Sequence, residues 1–193
     1  MQLQVIIAST RPGRAGLPIA QWFLEEARRH GGWEVRVSDL KQLQLPLLDE
    51  PRHPRLGQYE HDHTRAWSAT VDAADAFVMV TPEYNYGSPP ALLNALDYLY
   101  REWNYKPAAF VSYGGISGGI RSAQMTKQVL TTLKMVPIVE AVPIPFFAKH
   151  MTEAGVFEGT EAHALAAKAM LDELARWASA LRVLRAPPAN AAP

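Results

Sequence analysis

Three short stretches hold the residues able to do chemistry. In "ASTRPGRAGLP" (8–18), two hydroxyls, Ser9 and Thr10, and two guanidinium groups, Arg11 and Arg14, fall within six residues, and Gly13 and Gly16 leave the backbone free to bend. Free amides at a helix start, hydroxyl donors and arginine forks together suit a terminal phosphate dianion. The stretch lacks the Gly-Lys-Ser/Thr of a Walker loop and the Gly-x-Gly of a dinucleotide fingerprint. A hydroxyl-capped helix flanked by two surface arginines is the alternative reading. In "VTPEYNYGSPPALLNALDYL" (80–99), Pro82 cannot extend a strand ladder, so Glu83, Tyr84, Asn85 and Tyr86 form a turn able to stack on and hydrogen-bond a flat heterocycle. The alternative is a turn with incidental aromatics. In "SYGGISGGI" (112–120), Tyr113 leads into four glycines, beginning with Gly114 and Gly115, where a ring edge could lie against backbone with no Cβ in the way. Glycines placed merely for turning are the alternative there.

The elements around these stretches alternate. "LQVIIA" (3–8), "WEVRVSDL" (33–40), "AFVMV" (76–80), "PAAFVSY" (107–113) and a segment within 137–147 read as strands. Residues 17–30, 63–74, 91–103, 121–135 and 161–184 have apolar positions at helical spacing. Strands separated by helices pair in parallel through right-handed crossovers, which predicts an α/β three-layer sandwich: a five-stranded parallel sheet with helices on both faces. Ligands of such sheets sit beyond the carboxyl ends of the strands, where the strand order reverses. All three stretches follow strands. The proline-punctuated segment 41–63 is longer than ordinary loops and reads as functional or mobile. Residues 1–185 are expected to form a single domain, and "APPANAAP" (186–193) a disordered tail.

Composition narrows the function. Nineteen basic residues balance nineteen acidic ones, so no long-range field gathers nucleic acid or an anionic membrane surface. With no cysteine there is no disulfide framework, thiolate zinc site or thiol nucleophile. No apolar stretch approaches the roughly 20 residues of a membrane helix, and the start lacks a basic region and a cleavage site. The expectation is a soluble, unprocessed protein of the cytoplasm.

"STRPGR", "PEYNYGSPPALLNALDYL" and "SYGGISGG", in this order and spacing, resemble the NAD(P)H-dependent FMN reductases of flavodoxin-like fold, over about residues 3–145. The resemblance implies noncovalent FMN, NAD(P)H as co-substrate with NADPH favoured, and a flavin, quinone or similar small-molecule acceptor. By position, Ser9, Thr10, Arg11 and Arg14 would hold the FMN phosphate, Pro82, Glu83, Tyr84, Asn85 and Tyr86 would line the isoalloxazine, and Gly114 and Gly115 would approach its pyrimidine side. Gly16 and Tyr113 complete the cofactor-binding set. Two departures stand out: Ala8 replaces a frequent glycine, and Leu93 replaces the lysine that usually precedes the asparagine. Because the cofactor does the chemistry, no side chain is assigned as catalytic, and a single flavin face predicts ping-pong exchange of donor and acceptor. A flavodoxin-type electron carrier serving a protein partner is the alternative function, although carriers are usually acidic. A nucleotide-sensing module without electron transfer is a third.

Other candidates are weaker. "HDH" (61–63) offers alternate residues that make poor tetrahedral ligands without partners, so no metal site is expected. Glu34 and Asp39 lie near the spacing of a ribose-binding acid but lack the glycine fingerprint. The five tryptophans read as core or interface, with Trp103 able to reach a site rim. Read as one helix, 91–103 is apolar over an arc of about 200°, wider than one sheet contact requires. Leu93 and Tyr100 then face outward and predict a second copy of the same helix packed across a two-fold axis, unless segment 41–63 folds over that face; the family resemblance implies a homodimer or homotetramer.

Overall fold

A computed structural model describes residues 1–185; the tail expectation for 186–193 lies outside the described residues. Five parallel strands, β1 (Gln2–Ile7), β2 (Glu34–Asp39), β3 (Ala76–Pro82), β4 (Pro107–Tyr113) and β5 (Val136–Ile144), pair in the order β2-β1-β3-β4-β5. The order reverses between β1 and β3. β3 and β4 are buried along their whole length, which is why they read as unbroken apolar runs. Pro82 does not leave the sheet as expected. It is the last residue of β3, in register with Tyr113, and Glu83 N–H donates to the Tyr113 carbonyl at 3.3 Å. Pro137 and Pro143 lie in the edge strand β5, where a missing N–H is tolerated.

Helices α1 (Gly16–His30) and α6 (Glu161–Arg185) cover one face of the sheet. The four-residue α2 (Leu40–Leu43), α3 (Asp62–Asp72), α4 (Pro90–Asp97) and α5 (Ile120–Thr132) lie on the other. In α1 the stripe Ile19, Ala20, Phe23, Leu24 and Ala27 is buried. Gly31, at φ 74°, ends the helix by returning its N–H to Arg28, beside a basic last turn that suits the dipole.

The predicted helix 91–103 is the main correction. α4 stops at Asp97, and a 3-10 turn, Arg101–Trp103, follows. Two indoles take over the helix-end carbonyls there: Trp67, from α3, donates to the Ala95 carbonyl at 2.8 Å, and Trp103, from the 3-10 turn itself, to the Leu96 carbonyl at 3.1 Å. Both rings are fully buried, so Trp103 does not reach a site rim. They satisfy terminal carbonyls that a continuing helix would have bonded with its own amides.

Segment 41–63 does fold over this face. Asn94 accepts from Leu48 N–H at 2.9 Å and donates to the Pro46 carbonyl at 2.6 Å. The Tyr98 hydroxyl lies 2.9 Å from Asp49, Tyr59 donates to Glu102 at 3.1 Å, and the Arg55 guanidinium sits 4.6 Å from the Tyr100 ring centre. Tyr100 is therefore covered within the chain, and Leu93 stays half-buried. The "HDH" histidines belong to the same seam: His63 reaches Asp49 at 3.0 Å, and His61 stacks on His63.

Candidate functional site

At the reversal between β1 and β3, the turns after β1, β3 and β4 meet around a cavity of 360 Å³. Its walls include Ser9, Arg11, Arg14, Pro82, Glu83, Tyr84, Tyr113, Gly114 and Gly115, all expected from the sequence. Gly13, Ala15 and Phe147 complete it and were not expected. Phe147 follows β5 and packs edge-on against Tyr113 with ring centres 5.4 Å apart. The available signal was positional: the carboxyl end of the fifth strand belongs to the same rim as the other three.

The remaining expected residues fall elsewhere. Thr10 lines a neighbouring 480 Å³ cavity between α2 and α4, with Lys41, Gln44 and Asn94. Gly16 is buried, and a Cβ there would come within 2.5 Å of the Tyr113 hydroxyl, so it permits packing of α1 against β4. Asn85 and Tyr86 form an exposed hairpin tip that does not line the cavity.

The two arginines of the first turn separate sharply. Arg14 is buried, with side-chain exposure of 7%, and forks onto Asp39, itself 5% exposed, while also donating to the Ser9 carbonyl at 2.7 Å. Asp39 further caps α2 by accepting from Lys41 N–H at 3.0 Å. Arg14 thus ties the first turn to the end of β2, and Asp39 is a structural acid in place of a ribose ligand. Arg11 is exposed and, among the described residues, makes no side-chain hydrogen bond or ion pair. The N-terminus of α1 has no side-chain cap, because Ala15 occupies the capping position. That removes the capped-helix alternative and leaves first-turn amides and a positive dipole end beside Arg11.

Side chains lock the three turns together. The Ser9 and Tyr84 hydroxyls are 2.8 Å apart across the crevice. Glu83, 7% exposed, accepts from Ser117 Oγ at 2.8 Å, Arg121 Nε at 2.7 Å and Arg121 N–H at 3.2 Å. Burial alone would raise the Glu83 pKa, but the bonds from Arg121 and Ser117 hold it below its usual value. Burial raises the Tyr113 pKa, so its hydroxyl stays protonated. Because the folded value of Glu83 is depressed, its stabilisation is fully present above the ordinary value of 4.5 and is lost as pH falls through the folded value. The stability difference between the parent and Glu83→Gln, measured by urea unfolding, should be constant from pH 8 to about pH 5 and shrink towards pH 3.

Glycines shape the β4 side. Gly119, at φ 80°, would place a Cβ 2.6 Å from the Tyr113 nitrogen, so a side chain there is excluded. Gly115 differs: it is exposed, and a Cβ would meet nothing within 4 Å. The open space above Gly115, the uncapped helix start and the exposed Arg11 border one cavity, and they fit a planar ring joined to a phosphate.

A parallel sheet of this order, with its cavity at the switch point, defines a flavodoxin-like α/β protein. Among solved structures, the NAD(P)H:acceptor oxidoreductase FerB from Paracoccus denitrificans superposes with a TM-score of 0.72 at 20% identity, covering 93% of this chain and 97% of that one. The apo form of an NADH:FMN oxidoreductase superposes with a TM-score of 0.64 at 15% identity, covering 90% of this chain and 87% of that one. Residues 1–149 match the family model described as NADPH-dependent FMN reductase, and the chain belongs to that family. An NAD(P)H-dependent FMN reductase of Schizosaccharomyces pombe is 42% identical over 148 residues, covering 75% of this chain and 74% of that one. An NAD(P)H:quinone oxidoreductase of Solanum tuberosum is 40% identical over 101 residues, covering 51% of this chain and 50% of that one.

Proposed function

We propose that this protein binds FMN noncovalently and uses NAD(P)H to reduce a small-molecule acceptor such as a flavin or a quinone. One observation carries the reading: an uncapped α1 N-terminus and Arg11, exposed and without a side-chain bond among the described residues, share a cavity with a glycine whose Cβ space is open. Arg11 and the first-turn amides of α1 would hold the phosphate, while Pro82, Glu83, Tyr84, Gly114 and Gly115 would border the ring. FMN, when bound, supplies the hydride acceptance and onward electron transfer. The chain's own work is to seat it, exclude water from one side and leave one face open.

One open face admits one planar partner at a time, which supports ping-pong exchange. NADPH is favoured by the family description. The cytoplasm, where reduced nicotinamide is available, is the proposed location; among the described residues no helix is long and apolar enough to cross a membrane. The purified protein should be yellow, and anaerobic NADPH should bleach it. Initial rates with a quinone should give parallel double-reciprocal lines. Colour without bleaching by either nicotinamide would favour an electron carrier, and intersecting lines would exclude ping-pong exchange.

Self-association is part of the same proposal. With Tyr100 covered by Arg55, it now rests on half-buried Leu93 alone. Sedimentation should show a species heavier than the 21.4 kDa chain, and Leu93→Glu should reduce it to that mass. A single species at the chain mass in the parent would overturn this part.

A further inference from the structure

Two adjacent residues other than glycine, Asn85 (φ 49°) and Tyr86 (φ 68°), occupy the left-handed region. They are the central pair of a two-residue hairpin, closed by Tyr84 N–H to the Gly87 carbonyl at 3.0 Å and by Gly87 N–H to the Tyr84 carbonyl at 2.8 Å. Such turns favour Asn-Gly, because both central positions need a positive φ, which glycine takes without the strain that a Cβ brings. Asparagine tolerates the conformation, but tyrosine adopts it only where the surroundings hold it.

Helix α5 supplies those surroundings. The Arg121 guanidinium carbon lies 3.9 Å from the centre of the Tyr86 ring, which is otherwise 68% exposed. The same guanidinium bonds Glu83 on the near side of the hairpin. One helical turn on, Met125 Sδ lies 3.3 Å from Ser88 N on the far side. The hairpin is thus gripped before, at and after its tip by one helix face. Its other end, Tyr84, reaches Ser9 at 2.8 Å and walls the cavity.

We infer that Arg121 is a positioning residue for the flavin site. Without lining the cavity, it holds Tyr86 in its left-handed backbone and thereby keeps Tyr84 on the cavity wall. Its consequence for flavin rests on the function proposed above. Its consequence for the hairpin does not.

The test is a double-mutant cycle of Arg121→Ala and Tyr86→Gly, read in two ways. In cofactor-free protein, amide exchange at Gly87 should quicken about tenfold in Arg121→Ala, the scale of one lost cation–π contact. Arg121→Lys should recover part of the loss. In the Tyr86→Gly background, where glycine takes the conformation unaided, Arg121→Ala should quicken exchange at least about threefold less than in the parent, since the Glu83 bonds it also breaks are common to both backgrounds and cancel in the cycle. Unchanged exchange in Arg121→Ala, or equal acceleration in both backgrounds, overturns the inference whether or not the protein binds FMN. In the second readout, quenching of FMN fluorescence should show affinity weakened about tenfold in Arg121→Ala and by less in the glycine background. Altered exchange with unaltered FMN affinity overturns Arg121's role at the flavin site. A parent that quenches no FMN refutes the proposed function and that flavin role together, while the exchange readout still decides the hairpin claim.

Discussion

Arg14→Ala is expected to destabilise the protein by about 3–5 kcal/mol, the usual effect of removing one partner from a buried ion pair. The Arg14 and Asp39 side chains are 7% and 5% exposed, so the substitution leaves a buried carboxylate without its charged partner. It also frees the Ser9 carbonyl and loosens the first turn from β2. Arg11→Ala should behave in the opposite way. That side chain is exposed and makes no bond within the described residues, so stability should stay within about 0.5 kcal/mol of the parent. FMN affinity should fall by about 1.5–3 kcal/mol, the range of a charge-assisted hydrogen bond. Riboflavin, which lacks the phosphate, should bind the Arg11 variant and the parent alike. Chemical unfolding and flavin titration of both variants decide the matter. Full stability in Arg14→Ala, or undiminished FMN binding in Arg11→Ala, would reverse the two roles.

Gly115→Leu should give a well-folded, colourless protein. A Cβ at Gly115 touches nothing within 4 Å, and its backbone is outside the left-handed region, so the fold has no reason to resist. The new side chain extends into the space assigned to the ring and should weaken FMN binding roughly 10- to 100-fold, the scale of overfilling a packed site. Gly119→Ala is the control with the reverse pattern. Its Cβ would lie 2.6 Å from the Tyr113 nitrogen on backbone at φ 80°, so stability itself should fall, by about 1–3 kcal/mol. A yellow Gly115→Leu protein with parental affinity would show that the flavin ring lies elsewhere.

The architecture was legible wherever burial was symmetrical. β3 and β4 lie inside both layers, and their apolar runs needed no tertiary information. The three turns were legible because each follows a strand. The extent of α4 was not, since its end is set by the indoles of Trp67 and Trp103, the first of them 28 residues away. Arg11 and Arg14 look equivalent along the chain. They differ because Asp39, 25 residues on, sits within reach of one of them only. Tyr84 and Tyr86 were grouped for a similar reason: the left-handed pair at the hairpin tip sends one towards the cavity and the other towards α5.

The segment 41–63 has a consequence for protein engineering. Surface connections are ordinarily exchangeable between relatives, because their ends alone are fixed. This one is fixed along its length: Asn94 holds Pro46 and Leu48, Tyr98 holds Asp49, and Glu102 holds Tyr59. Those three residues act as an address that only a matching connection can read. A segment transplanted from a relative would need the corresponding asparagine, tyrosine and glutamate moved with it, so the connection, α4 and the 3-10 turn after it form a single exchangeable module.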